Sequence, residues 1–313
     1  MADRLSAELL RRLRDTAGLE VKPGEPLARY TTFRIGGPAE LLVAVASERA
    51  LRRLLAALDG APCQLLGLGS NVLIPDEGLP GVVLRLVGGF RRVRLDGTAV
   101  EAGGAVALGR LARRTAAASL SGLEALAGFP STVGGAVYMN AGSYGTEICD
   151  VLEWATVVER DGRRRRLTVA ELEPSYRRTA LQGTGAIVTR ARFALAAGDR
   201  ETSLARIEEL TRRRWASLPS GRPNAGSVFR NPEGGYAGRL IEQCGLKGRS
   251  SGGALISPQH GNVIVNQERA SADDVLELML LARREVKRRF DVELEPELVL
   301  TGSLAQRWRR ASA

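Results

Sequence analysis

Aromatic residues make up only 4% of the 313-residue chain, and lysine is nearly missing: Lys22, Lys247 and Lys287 are the only lysines among 45 basic residues. The formal net charge of +10 is therefore arginine charge. Such an excess suits nucleic acid, an acidic membrane surface or an anionic small ligand. Nucleic acid is the weakest of these readings, because no aromatic side chains interleave with the arginines as stacking platforms would. The one arginine run, 163–166, follows Asp161-Gly162, a hairpin-turn pair, and reads as a solvated hairpin arm. Cysteine is scarce as well. Cys63, Cys149 and Cys244 lie far apart with no CxxC spacing, which excludes a disulfide framework and a zinc site and points to a reducing compartment. With His260 as the only histidine, no second ligand stands at a metal spacing, and no metal is expected. No apolar run approaches the ~18 residues of a membrane span. The first fifteen residues carry charge throughout, without the apolar core of a signal peptide. A cytoplasmic protein that binds neither membrane nor nucleic acid is expected, with a monomer favoured.

Glycine is what the chain has in quantity. Gly128, Gly134, Gly135, Gly142 and Gly145 punctuate the stretch 128–145, with small residues between them. Glycine is kept where φ must be positive or where something approaches the backbone closely, and the N–H groups of such turns suit an anion, typically a phosphate. A glycine-rich surface loop is the plain alternative. A second cluster, 67–71, reads Gly-Leu-Gly-Ser-Asn. Val72 stands where GxGxxG needs its third glycine, and the turn leads into a strand, so no Rossmann fingerprint is present. Ser70 and Asn71 there can hold a pyrophosphate, or Asn71 can simply be a left-handed turn residue.

At this length two or three domains are expected, and the apolar fraction of 44% is ordinary for a globular protein. Residues 1–20 read as a basic amphipathic helix. Residues 30–38 alternate as a strand that breaks at Gly36-Gly37. Ser47 caps a helix over 48–58 whose leucines share one face. Strand signals dominate from 81 to 195, interrupted by a helix over 108–119. An arginine-rich helix spans 202–217, residues 220–224 form a linker-like loop, and Ser271 caps a long helix to about 289. The tail 291–300 alternates like a strand, placing Glu293, Glu295 and Glu297 on one face.

Four groups are candidates for chemistry. Ser227, in 224–232, has no histidine partner nearby in sequence and lacks the G-x-S-x-G elbow of a hydrolase. A serine can instead donate a proton to a carbanion beside it. His260 sits in a turn, where a lone histidine is more often structural. The three tail glutamates read as a solvated face, with nothing in the pattern to choose among them. Arg177, after Tyr176 in a turn, can fix a carboxylate bidentately or lie exposed.

Taken in order, 31–37, 67–74, 128–136 with 140–145, Tyr176-Arg177, 226–232, His260 with Asn266, and 294–297 resemble the UDP-N-acetylenolpyruvoylglucosamine reductase family of peptidoglycan synthesis, MurB. Each piece alone is weak; seven in the family's order, covering roughly residues 27–302, are specific. The resemblance implies an α+β fold: a two-lobed FAD-binding region of the PCMH/vanillyl-alcohol-oxidase type, then a smaller α+β substrate-binding domain. The divisions would be an N-terminal helix 1–26, FAD lobes 27–88 and 89–198, a substrate domain 199–302 and a disordered tail 303–313. It implies noncovalent FAD held by Arg34, Gly36, Gly67, Gly69, Ser70, Asn71, Val72, Leu73, Gly128, Pro130, Ser131, Gly134, Gly135, Ala136, Asn140, Gly142, Tyr144 and Gly145. NADPH would be the reductant and a UDP-sugar the substrate, bound by Tyr176, Arg177, Asn231, Tyr236, His260 and Asn266.

By the same match, Ser227 donates the proton, Arg177 binds the substrate carboxylate, and Glu297 assists as a protonated acid whose pKa burial or Glu295 would raise. Two departures bear on this. Val228 stands where the family often has a second phenylalanine. Residues 217–231 lack the tyrosine-bearing insertion some members place over the substrate, which implies the shorter subtype, with Tyr236 the available substitute. A different flavoprotein of the same fold, such as a sugar-lactone or hydroxy-acid oxidase, would keep the glycine clusters but would not need Ser227, Arg177 and Glu297 together.

Overall fold

The computed structural model describes residues 6–219 and 221–311. The chain groups into two compact units. The first comprises residues 1–23, 41–67 and 81–213; the second comprises 24–40, 68–80 and 214–313. Linear divisions do not map onto these units one to one, because 24–40 and 68–80 pack with the C-terminal part.

The first unit holds two sheets. In one, the strand order is Leu19–Pro23, Ala39–Val45, Leu79–Leu86, Cys63–Leu65, with Leu19–Pro23 antiparallel to its neighbour and Cys63–Leu65 parallel to Leu79–Leu86. The helix Glu48–Leu58 packs on it. Ser47 accepts the Ala50 N–H at this helix's N-terminus, and Leu51, Leu54, Leu55 and Leu58, at helical spacing, are all buried. The other sheet is antiparallel, in the order Arg164–Thr168, Leu152–Val158, Ile187–Ala194, Ala99–Gly103, Val93–Asp96. The helices Leu108–Ala117 and Val133–Met139 close its core with Leu108, Leu111, Val133 and Val137. Asp161-Gly162 makes the expected hairpin turn, and Arg163 and Arg165 pair with Glu159 across it.

The second unit has an antiparallel sheet in the order Asn224–Ser227, Val263–Asn266, Ala254–Ile256, Ser250–Ser251. The helix Ala272–Phe290 lies against it, capped by Ser271 as expected, with Asp274 completing a capping box. Its Val275, Leu278, Met279, Ala282 and Val286 are buried. A short parallel pair, Val72–Leu73 with Val299–Leu300, ties the turn 68–71 to the C-terminal segment.

Four expectations change. Residues 30–38 alternate in burial but form no strand: Arg34 has φ +56°, and the buried Thr31 hydroxyl donates to the Ile35 carbonyl at 3.0 Å, closing a turn. Residues 291–298 are irregular, because Pro296 lacks the N–H of a ladder, so the three glutamates share no strand face. The N-terminal helix is short, Ala7–Arg14, and gives way to the strand from Leu19; residues 1–5 and Ser220 of the linker-like loop lie outside the described residues. The tail is ordered as the helix Gly302–Arg310, with Leu304 and Trp308 one turn apart on one buried face; residues 312–313 lie outside the description.

Among the described residues no helix is long and apolar enough to cross a membrane. All three cysteines are free. Burial pushes the Cys149 thiol up to about 12 and Cys63 to about 11, and it raises Cys244 as well.

Candidate active site

In the first unit the glycine stretch wraps a short helix. Thr132 caps Val133–Met139 by accepting the Gly135 N–H, and Gly67 lies so close that a Cβ there would stand 3.1 Å from the Thr132 hydroxyl oxygen. The stretch spends most of its own donors. The N–H groups of Ser131, Val133 and Gly134 go to the carbonyls of Phe129, Val106 and Gly104, and that of Gly135 to Thr132. Gly134 and Ala136 are buried against the sheet and serve packing. Gly128 and Ser131 are half-buried, and Pro130 is exposed.

Asn140 ends this helix in the left-handed conformation (φ +43°) and is 0% exposed. Its amide nitrogen donates to Glu147 at 2.5 Å and to the Ser175 carbonyl at 3.1 Å, while its oxygen accepts the Cys149 N–H. The sequence reading placed it on the cofactor; the structure gives its side chain to the turn that carries Arg177. That turn is a bridge between Ser175 and Arg178, with Arg177 itself left-handed at φ +56°. The Arg177 guanidinium donates to the Gly142 carbonyl at 2.9 Å and sits 5.0 Å from the Tyr176 ring centroid, and Gln182 donates to its carbonyl. Tyr176 and Tyr144 are each 47% exposed, and the Tyr144 hydroxyl donates to the Leu210 carbonyl. Gly145 follows at φ +80°.

In the second unit Gly69 is where glycine is obligatory: φ is +64°, and a Cβ would fall 2.2 Å from the Tyr30 carbonyl oxygen. Its own carbonyl accepts the Thr32 N–H. Among the described residues the N–H groups of Leu68, Gly69 and Ser70 and the Ser70 hydroxyl donate to no protein acceptor. Such donors lie here as well as in 128–145, where the N–H groups of Gly128, Thr132 and Tyr144 likewise reach no acceptor among the described residues. Asn71 donates its amide to the Glu297 carbonyl at 3.0 Å. Val72 and Leu73 form the parallel pair with 299–300, Leu73 fully buried. Arg34 is exposed, and Gly36 packs on Ile74.

Ser227 and Glu297 come together through the backbone. The strand Asn224–Ser227 carries a register shift between those two residues, opposite Val265 and Val263, with Gly226 at φ +75° in open space and its N–H bonded to the Asn224 side chain. Only the dihedral explains that glycine; such a bulge re-aims the side chain that follows it. The next carbonyl, of Val228, accepts the Glu297 N–H at 2.9 Å, and Phe229 bridges Pro296. Of the three candidate glutamates, Glu297 is the one whose backbone bonds to the residue after the serine.

The expected substrate residues divide. Asn231 is exposed and accepts the Ala237 N–H, while Tyr236 is 69% exposed at the head of the helix Ala237–Gln243. Asn266 is 9% exposed and spends its amide inside the unit, donating to the Phe33 carbonyl and accepting the Ala270 N–H. His260 accepts the Asn262 N–H on Nδ1, and burial holds its pKa below the usual histidine value. Thr132, Glu147 and Asn262 were missed by sequence reasoning; an N-cap threonine before a helix was the only signal among them.

Residues 218–301 match the family described as UDP-N-acetylenolpyruvoylglucosamine reductase, C-terminal domain, and residues 39–168 match an FAD binding domain. The chain is 46% identical over 298 residues to UDP-N-acetylenolpyruvoylglucosamine reductase 2 of Symbiobacterium thermophilum, covering 95% of this chain and 96% of that one. This chain belongs to the UDP-N-acetylenolpyruvoylglucosamine reductase family. A second relative of the same name, from Rubrobacter xylanophilus, is 43% identical over 284 residues, 89% of this chain and 94% of that one. The crystal structure of the reductase MurB from Thermus caldophilus superposes with a TM-score of 0.79 at 42% identity, covering 91% of this chain and 99% of that one. As a MurB-family member the chain is an FAD-dependent oxidoreductase, with an FAD-binding part followed by the reductase's C-terminal domain in a mixed α+β fold. The residues present fit that cofactor: a turn at 68–70 whose N–H groups meet no acceptor among the described residues is what a pyrophosphate requires.

Proposed function

We propose that the chain reduces UDP-N-acetylenolpyruvoylglucosamine to UDP-N-acetylmuramate, as a cytoplasmic enzyme of peptidoglycan precursor synthesis, with Arg177, Ser227 and Glu297 as its catalytic residues. The observation that carries the reading is Ser227 on a glycine bulge with the Glu297 N–H bonded to the adjoining carbonyl. Bound FAD supplies the hydride relay, from NADPH to the methylene carbon of the enolpyruvyl group. Hydride arrival at that carbon leaves an electron pair on its neighbour, delocalised into the carboxylate. The Arg177 guanidinium binds that carboxylate and offsets the added charge; its planar fork matches the two oxygens. Ser227 Oγ–H delivers a proton to the carbon that received the electron pair, and Glu297, protonated, hydrogen-bonds the same charge. Leu68–Ser70 donate to the FAD pyrophosphate, and Tyr176, Asn231 and Tyr236, exposed and adjoining these groups in sequence, contact the UDP-sugar.

The test follows the flavin spectrum of the purified protein without oxygen. NADPH should bleach it, and UDP-N-acetylenolpyruvoylglucosamine should restore it. Bleaching with no restoration would remove the substrate assignment, and a colourless protein that takes up no FAD would remove the whole reading. Ser227→Ala should retain bleaching and slow restoration by about 10²–10⁴-fold, the usual worth of a positioned acid.

A further inference from the structure

We propose that Asn262 is a positioning residue for proton delivery: its buried amide fixes the backbone at Phe229 and, through it, the placement of Ser227 and Glu297. The inference rests on the roles proposed above for those two residues.

Asn262 is 3% exposed, at the entry of the strand Val263–Asn266. An amide buried to that degree is costly unless its groups are paired. Its Oδ1 accepts the Phe229 N–H at 2.9 Å, and its Nδ2 donates to the Phe229 carbonyl at 2.8 Å. Its own carbonyl accepts the Val228 N–H at 2.9 Å. One side chain thus closes both backbone bonds of one residue, as a neighbouring strand would. The substitution matters because the ladder between the two strands ends at Ser227, opposite Val263. Beyond that point the neighbouring strand's segment turns away through His260, whose Nδ1 accepts the Asn262 N–H at 3.2 Å.

The strip 228–230 therefore has two edges. Asn262 holds one. The other holds the segment of Glu297, through Val228 with Glu297, Phe229 with Pro296, and Arg230 with Glu295. Phe229 is 1% exposed, so neither its N–H nor its carbonyl has water as a substitute partner. Without the amide, the strip that carries Ser227 at its head and aligns Glu297 along its side has one edge only. A displacement of about 1 Å at a reacting group can cost on the order of 10²-fold in rate.

The test measures the two half-reactions separately by stopped flow, on holoenzyme carrying Asn262→Ala or Asn262→Asp. Flavin reduction by NADPH should stay within about twofold of the parent. Reoxidation by UDP-N-acetylenolpyruvoylglucosamine should slow on the order of 10²-fold for Asn262→Ala, with a larger solvent deuterium effect on that step. Asn262→Asp keeps the volume and the acceptor but not the donor, and should fall between; it carries the test if the alanine variant does not retain FAD. A lower melting temperature with both half-reactions unchanged per bound flavin would overturn the inference, and so would equal slowing of both. Ser227→Ala run alongside separates the two readings. If it reoxidises at the parent rate, the proton-donor assignment falls; if it is slow while the Asn262 variants are normal, only the positioning role falls.

Discussion

Asn140 looks like a ligand residue in sequence, a lone asparagine among glycines, and the structure gives it different work. A fully buried left-handed asparagine whose amide reaches Ser175 and Glu147 sets where Arg177 stands. Asn140→Ala should therefore raise the KM for the UDP-sugar by about tenfold, the effect of roughly one lost hydrogen bond to the turn, and leave the KM for NADPH unchanged, as steady-state kinetics would show. Asn266 teaches the same lesson, since both ends of its amide are engaged inside the unit. Sequence shows that an asparagine is present in a motif but not whether its amide faces a ligand or the chain. Glycines are easier to read. Gly69 is glycine both for its positive φ and for the Tyr30 carbonyl against it, and Gly69→Ala should abolish FAD retention, measurable as loss of the yellow chromophore on gel filtration. His260 yields a pH dependence. Its folded pKa lies below the ordinary value of about 6.5, so the unfolded chain binds the proton first. Its contribution to stability is full above that value and is lost as pH falls from there through the folded pKa. Thermal melts from pH 7 to 5 should decline less in His260→Asn than in the parent.

Legibility at the scale of elements depended on which periodicity was present. Helices with a wide apolar face and a serine cap, 48–58 and 272–290, lie where the sequence places them, because cap and stripe agree. Two alternating stretches misled. In 30–35 burial alternates around a turn closed by a threonine hydroxyl, so period two arises without a ladder. In 291–298 Leu294 and Leu298 are buried, but a proline denies the strand its hydrogen bonds. The tail failed in the opposite direction. Its arginines hid Leu304 and Trp308, which form a buried stripe one turn apart, with the Trp308 ring 6.1 Å from that of Phe229. Trp308→Ala should cost about 3–5 kcal/mol, or somewhat less because the helix is terminal, seen as a lower denaturant midpoint. Since Phe229 follows Val228 and Ser227 in the chain, flavin reoxidation should slow more than flavin reduction in that variant.

At the scale of the whole molecule, the charge of +10 suits the anionic ligands proposed above. FAD, NADPH and the UDP-sugar are all anions, and a net positive field raises their local concentration until salt screens it. The KM values for NADPH and the UDP-sugar should both rise several-fold between about 0.02 and 0.5 M salt, with kcat nearly constant. The three cysteines have a practical consequence. With thiols pushed to about 11 at Cys63 and about 12 at Cys149, and raised at Cys244, the folded protein offers almost no thiolate near neutral pH. Cys63 and Cys149 are thus poor targets for alkylating reagents, and the raised thiol of Cys244 is a slowed one. A sulfur placed by Ser227→Cys should be alkylated by iodoacetamide ahead of these three, and mass spectrometry of that adduct, with and without the UDP-sugar, would report when position 227 is covered.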